Sequence, residues 1–108
     1  MKPTDAAANC QEIYAGLLRL HLLYQACQEP IFGLAMIEKL GHQGYKLSAG
    51  TLYPLLHSLE RKGYLKSRAV RSGRSVRRMY QATRAGRKAL EVAREKVKEL
   101  IGELLETE

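Results

Sequence analysis

Between residues 61 and 88 the sequence carries eleven basic side chains and no acidic one: Arg61, Lys62, Lys66, Arg68, Arg71, Arg74, Arg77, Arg78, Arg84, Arg87 and Lys88. Guanidinium and ammonium groups at that density are chemistry for phosphate, which they neutralise with release of counterions. The flanks are different. Residues 1–60 hold four basic and five acidic side chains and residues 89–108 three and six, so the net charge of +7 resides in one quarter of the chain. A solvated basic surface is the plainer reading, but a run of like charges repels itself, and a polyanion offsets that cost. Lys66, Arg71, Arg74, Ser75 and Arg77 are the candidates for phosphate binding. Arg84, Arg87 and Lys88 fall at the start of a last helix, where cations oppose the helix dipole and again point to an external anion.

Other chemistries find little support. His21, His42, His57, Cys10 and Cys27 show no zinc-finger spacing, so no metal site is expected. Cys27 sits on an apolar stripe and reads as a buried structural thiol, and Cys10 as inert. There is no Gly-rich phosphate loop, zincin motif or nucleophile–base pairing, so neither catalytic residues nor a cofactor are expected. Two cysteines make no disulfide framework in 108 residues. With 45% hydrophobic and 27% charged residues the composition is that of a soluble globular protein. No apolar run approaches the roughly 18 residues of a membrane span, and Met1-Lys2-Pro3-Thr4-Asp5 lacks a signal peptide's apolar stretch. A cytoplasmic protein without membrane contact is expected.

The elements that must position the cations are legible in the periodicity. Residues 10–28 predict a helix with an apolar stripe at Ile13, Leu17, Leu20, Tyr24 and Cys27, widened by Leu18 and Leu22 and stopped at Gln28-Glu29-Pro30. A shorter helix over 32–40 sets Gly33, Met36, Ile37 and Leu40 on one side, followed by a turn at Gly41-His42-Gln43-Gly44. In a third helix Leu52, Leu55, Leu56 and Leu59 form the buried stripe. Ser48 or Thr51 can cap it, Pro54 being easier to place with Thr51 as the cap, and Gly63 ends it. Its opposite face carries Gly50, Tyr53, Pro54, His57, Ser58 and Arg61. Strand-like stretches at 64–70 and 76–82, split by Ser72-Gly73-Arg74-Ser75, read as a β-hairpin with a basic tip. Thr83 can cap a last helix running to about residue 105, with a seam at Leu90, Ala93, Val97, Leu100 and Leu104 and a second flank at Ile101 and Leu105. Two flanks exceed what one neighbour covers. Dimerisation through Leu17, Leu20, Leu90, Val97, Leu100, Ile101 and Leu104 is therefore expected over packing within the chain alone.

Three helices, a basic hairpin and a final helix follow the order of the winged helix-turn-helix. The expected fold is mainly α with a small β-hairpin wing (α+β), with a DNA-binding domain over 1–82 and a dimerisation helix over 83–108 in one compact unit. The third helix then enters the major groove of double-stranded DNA with Ser48, Thr51, Tyr53, Pro54 and His57, and the wing holds the backbone. None of those five is a bidentate base reader, so specificity rests partly on DNA shape.

The stretch Leu47-Ser48-Ala49-Gly50-Thr51-Leu52-Tyr53-Pro54-Leu55-Leu56-His57-Ser58-Leu59-Glu60-Arg61-Lys62-Gly63-Tyr64-Leu65 closely resembles the signature of PadR-type transcriptional regulators. Phe32-Gly33 through Leu40, the run Tyr80-Gln81-Ala82-Thr83-Arg84-Ala85-Gly86 and Leu90 extend the resemblance over about 31–90. It implies a prokaryotic homodimeric repressor on an inverted-repeat operator, with the last helix packed on the partner's first helix. It also implies an effector, often aromatic or drug-like, that releases DNA. Leu34 stands where members commonly carry an aromatic, Met79-Tyr80 replaces a common tyrosine pair, and a single C-terminal helix places the chain with the short subfamily. The chain has no Trp as a ligand platform, and for Tyr14 and Tyr24 core packing is favoured over a ligand site. Two rivals stand beside the repressor: an architectural or partition-type DNA-binding protein without effector, and an adaptor whose basic wing meets an acidic protein.

Overall fold

The computed structural model describes residues 11–106, with side chains from residue 15 onward. Cys10, the Ile13 side chain of the expected first-helix stripe and the Tyr14 side chain, for which core packing is expected, lie outside the described residues. The elements are α1 (Gln11–Gln28), β1 (Ile31–Phe32), α2 (Gly33–Gly41), α3 (Ala49–Arg61), β2 (Leu65–Ser72), β3 (Ser75–Ala82) and α4 (Arg84–Glu106). Among the described residues these are four helices and a three-stranded antiparallel sheet in the order β1-β3-β2, the α+β architecture expected. None of the described helices is long and apolar enough to cross a membrane.

Two elements differ from expectation. The strand β1 has no sequence counterpart, because two residues give no periodicity to detect; Ile31 and Phe32 pair with Tyr80 and Met79 of β3. In α1 the buried face is centred on the flank expected to widen the stripe, at Leu18 and Leu22, and not on the stripe itself. Leu18, Leu22, Leu23 and Ala26 enter the core with Gln25, whereas Leu17 and Tyr24 are exposed and Leu20 and Cys27 only half-buried. This helix is apolar on more than one side, so periodicity alone did not tell which side meets the rest of the chain.

A single hydrophobic cluster unites the helices and the sheet. Leu22, Leu40, Leu52 and Leu56 are fully buried there with Leu65 and Tyr80, and Leu90 closes it from α4. The junction between α3, the hairpin and α4 is made by backbone. Lys62 caps α3, Gly63 follows with φ +84°, and the Gly63 and Tyr64 N–H groups return to the Glu60 and Leu59 carbonyls at 2.9 and 3.0 Å. The Thr83 hydroxyl donates to the Gly63 carbonyl at 2.5 Å and accepts from the Gly86 N–H at 3.0 Å, and the Thr83 N–H donates to the Tyr64 carbonyl at 3.0 Å. Thr83 therefore caps α4 as expected while fastening it to the end of α3.

Gly86 faces this junction, and a Cβ there would run into the Tyr64 carbonyl oxygen and crowd Leu23. In an exposed helix Gly→Ala stabilises by about 1 kcal/mol. Here the sign reverses, since the obstruction is main chain that holds a cap. Gly86→Ala is expected to destabilise the fold by roughly 1–3 kcal/mol in urea unfolding. A gain in stability would show that the junction is loose.

Candidate nucleic-acid interface

The outward face of α3 is set by its leucines. Leu52, Leu55, Leu56 and Leu59 are buried, and the helical repeat then turns Thr51, Pro54, His57 and Arg61 to solvent with Gly50. Ser48, not Thr51, is the N-cap: its backbone is extended (φ −104°, ψ 165°) and its Oγ accepts from the Thr51 N–H at 3.3 Å. The helix thus begins a turn earlier than Pro54 suggested, and Pro54 lies inside it. Proline cannot donate to the Gly50 carbonyl one turn back, and Gly50 is exposed, so that break occurs on the solvent side.

Tyr53 is only partly on the outward face where it is expected. It is half-buried on the flank of α3, packed against the core, with its ring over Gly33 at the start of α2. A Cβ at residue 33 would lie 2.6 Å from the Tyr53 hydroxyl and 2.7–2.8 Å from the ring carbons. The absence of a side chain at Gly33 lets α2 and α3 approach there. On its other side the Tyr53 ring meets His57 with centroids 6.3 Å apart. Its first duty is therefore to space the two helices, with an edge left toward the outward face.

The strands β2 and β3 pair in register from Leu65↔Ala82 to Ser72↔Ser75, joined by the two-residue turn Gly73-Arg74. Alternation sends Leu65, Tyr80 and Ala82 to the core together with Ile31, and Lys66, Arg68 and Arg77 to the outer face with Met79 and Phe32. Every residue from Arg71 to Arg78 is exposed, so the hairpin leaves the body of the molecule as a free ribbon. On it ride Arg71, Arg74, Ser75 and Arg77, with Lys66 nearer the root. Arg77 stacks its guanidinium over the Phe32 ring at 4.2 Å from the centroid, which holds it on the outer face.

All eleven cations of residues 61–88 are exposed, and among the described residues none lies within ion-pair distance of a carboxylate. Ion pairs form instead on α4, between Lys96 and Glu99 at 3.8 Å and between Lys98 and Glu95 at 3.4 Å. Arg87 is engaged otherwise, donating to the Cys27 carbonyl at the end of α1 at 3.0 Å. Periodicity gave no hint of a cluster at the root of the wing. There the Glu60 carboxylate accepts from the Ser67 N–H at 3.1 Å and its hydroxyl at 2.6 Å, and Arg78 donates to the same hydroxyl at 3.1 Å. Beside it, burial pushes the Tyr80 phenol up and Glu60 adds to that shift, with Arg78 opposing.

The chain matches the Transcriptional regulator PadR-like family over residues 20–92. It is 43% identical over 96 residues to Transcriptional regulator Rv3488 of Mycobacterium tuberculosis, covering 88% of this chain and 89% of that protein. The chain belongs to the PadR-like family of transcriptional regulators. Among solved structures it resembles a PadR family regulator from Eggerthella lenta, with TM-score 0.80, 31% identity and 97% and 96% of the two chains covered. It also resembles a PadR-like regulator from Bacillus cereus, with TM-score 0.74, 26% identity and 87% and 96% covered. The family match begins at residue 20, inside α1, and so takes in the second half of the first helix, which the sequence signature left out.

The remaining candidates of this PadR-like chain fall as follows. Leu90 is buried in the chain's own core and is not available to a partner; Leu20 and Val97 are half-buried, and Leu17, Leu100, Ile101 and Leu104 are exposed. Cys27 is half-buried rather than buried; burial pushes its thiol up while the Arg87 and Arg94 charges pull it down. Among the described residues no group of three or more His, Cys, Asp and Glu side chains comes together.

If the Tyr53 ring spaces α2 from α3, Tyr53→Phe will keep stability within about 0.5 kcal/mol and Tyr53→Ala will lose roughly 1–3 kcal/mol in urea unfolding. Equal stability of the alanine and phenylalanine variants would remove the packing role.

Proposed function

We propose that this PadR-like protein is a homodimeric repressor that binds an inverted-repeat operator. Its α3 enters the major groove through Ser48, Thr51, Pro54 and His57, with the exposed edge of Tyr53, while Lys66, Arg71, Arg74, Ser75 and Arg77 hold the backbone. The observation that carries this reading is the field of exposed cations without carboxylate partners among the described residues, on a free ribbon beside the outward face of α3. Small, hydroxyl and apolar groups on that face suit thymine methyls and base edges. The protein acts in the cytoplasm and carries out no catalytic step.

The second copy is argued from α4. Beyond Leu90 no residue of this helix is buried, although it runs on to Glu106. Leu100 (54% exposed), Ile101 (49%), Leu104 (60%) and Leu105 (69%) stand on its free side, and Leu17 (46%) and Tyr24 (45%) on the free side of α1. A projecting helix with such a face gains its stability from packing. The partner's α1 is the complementary surface, which makes residues 83–108 the dimerisation unit and 1–82 the DNA-binding domain. An aromatic effector, if the cell supplies one, would enter at that seam beside Tyr24. The architectural alternative draws on one observation, that the α3 face offers Arg61 at its end but no bidentate reader among Ser48, Thr51, Pro54 and His57.

Selection from random duplexes is expected to enrich a palindrome whose half-sites lie about one helical turn apart or a small multiple of it. No enrichment would remove the sequence-specific reading and leave the architectural one. Leu100→Asp with Leu104→Asp is expected to yield a folded monomer in sedimentation, because both leucines lie outside the chain's own core and the charges would enter only the interface. An undisturbed dimer would place the interface elsewhere.

A further inference from the structure

We propose that Glu60 is a positioning residue for DNA recognition, which locks the reading helix and the wing at one fixed angle so that both engage their grooves together. This rests on the reading of α3 and the wing given above. Glu60 stands in the last turn of α3, and its carboxylate takes both donors of Ser67 on β2, at 3.1 Å from the N–H and 2.6 Å from the hydroxyl. Arg78 on β3 donates to that hydroxyl at 3.1 Å, so the carboxylate holds β2 directly and β3 through Ser67. All three residues lie where the ribbon leaves the core: every residue from Arg71 to Arg78 is exposed, and beyond the Ala69↔Arg78 pair Arg77 touches the body through the Phe32 ring on the outer face. A wing hinged freely at that point would sample many angles, and its cations would reach phosphate at an entropic cost. Arg78 thereby acts through Ser67 and is not counted among the phosphate ligands.

The sign of the effect separates this role from plain electrostatics. Glu60 is an anion at the border of a surface that meets polyanion, so removing its charge would by Coulomb's law tighten DNA binding. The positioning role requires the reverse for the operator. Glu60→Ala is expected to weaken operator binding about ten-fold while leaving binding to scrambled DNA unchanged or tighter. Glu60→Gln, which keeps an acceptor oxygen for Ser67 and loses the charge, is expected to bind the operator at least as tightly as the parent protein. Ser67→Ala, which keeps the N–H bond alone, will fall in the same direction as Glu60→Ala by a smaller factor.

The decisive measurement is a double-mutant cycle in fluorescence titrations with the operator duplex, thermal melts confirming that each variant is folded. Arg74→Ala at the wing tip is expected to cost about five-fold in the parent and under two-fold beside Glu60→Ala, because an unlocked wing has less contact to lose. Equal costs in both backgrounds, operator binding by Glu60→Ala as tight as the parent's, or a Glu60→Gln variant as weak as Glu60→Ala would each overturn the proposal. A parent protein insensitive to Arg74→Ala would instead contradict the wing's role in binding, and the Glu60→Ala and Glu60→Gln comparison would then still decide the positioning role. Should Glu60→Ala fail to fold, Ser67→Ala takes its place in the cycle.

Discussion

Every functional element hangs from one backbone junction. The Tyr64 carbonyl accepts the Thr83 N–H and rests against Gly86, and the Thr83 hydroxyl reaches the Gly63 carbonyl. Helix α3 ends there, the wing begins and returns there, and α4 departs from it. Main-chain groups do this with little latitude, since a buried carbonyl or N–H left without a partner costs about as much as a lost hydrogen bond. The direction in which α3 faces, the direction in which the ribbon projects and the direction in which the free side of α4 points are consequently one choice. Glu60 and Ser67 refine that choice for the wing alone.

On this frame the charges are sorted. Residues 1–60 carry a net charge of −1 and residues 89–108 one of −3, and the positive excess lies in residues 61–88, where among the described residues no cation pairs with a carboxylate. Such an arrangement costs the isolated protein self-repulsion, and it draws a polyanion across long distances before any specific contact is made. On the proposed reading, specific recognition falls to a helix face of modest polarity, and the wing supplies most of the affinity while α3 supplies the discrimination.

The sequence made the leucine stripe of α3, the hairpin turn at Gly73-Arg74 and the Thr83 cap legible, because each depends on neighbours within four residues. Three things were not legible. The strand β1 is a pairing between Ile31-Phe32 and a strand nearly fifty positions later, and two residues have no period. The buried side of α1 is decided by which apolar face the sheet and α3 happen to meet; the stripe through Leu17 and Tyr24 was as good a candidate and is the one left exposed. Tyr53 reads as an outward residue from its place on the helical wheel, and only the bare Cα of Gly33 beside it shows why its ring turns inward. Ser48 rather than Thr51 caps α3 for a similar reason: Pro54 is disfavoured in a helix interior in general, yet here the carbonyl it leaves unpartnered is that of exposed Gly50.

The account stands on the claim that this PadR-like protein reads DNA sequence and does not merely hold phosphate. A fluorescence titration of duplex from its own upstream region against scrambled duplex, at two salt concentrations, tests that claim most directly. In the proposed dimer, four phosphate-binding cations per protomer, Lys66, Arg71, Arg74 and Arg77, would give a slope of about −7 in log K against log salt, roughly a 10⁴-fold loss between 50 and 200 mM for either duplex. The account predicts that the upstream duplex keeps its preference at about 150 mM salt, since the contacts of α3 do not depend on counterion release. Equal binding to both duplexes, collapsing together as salt rises, would contradict it.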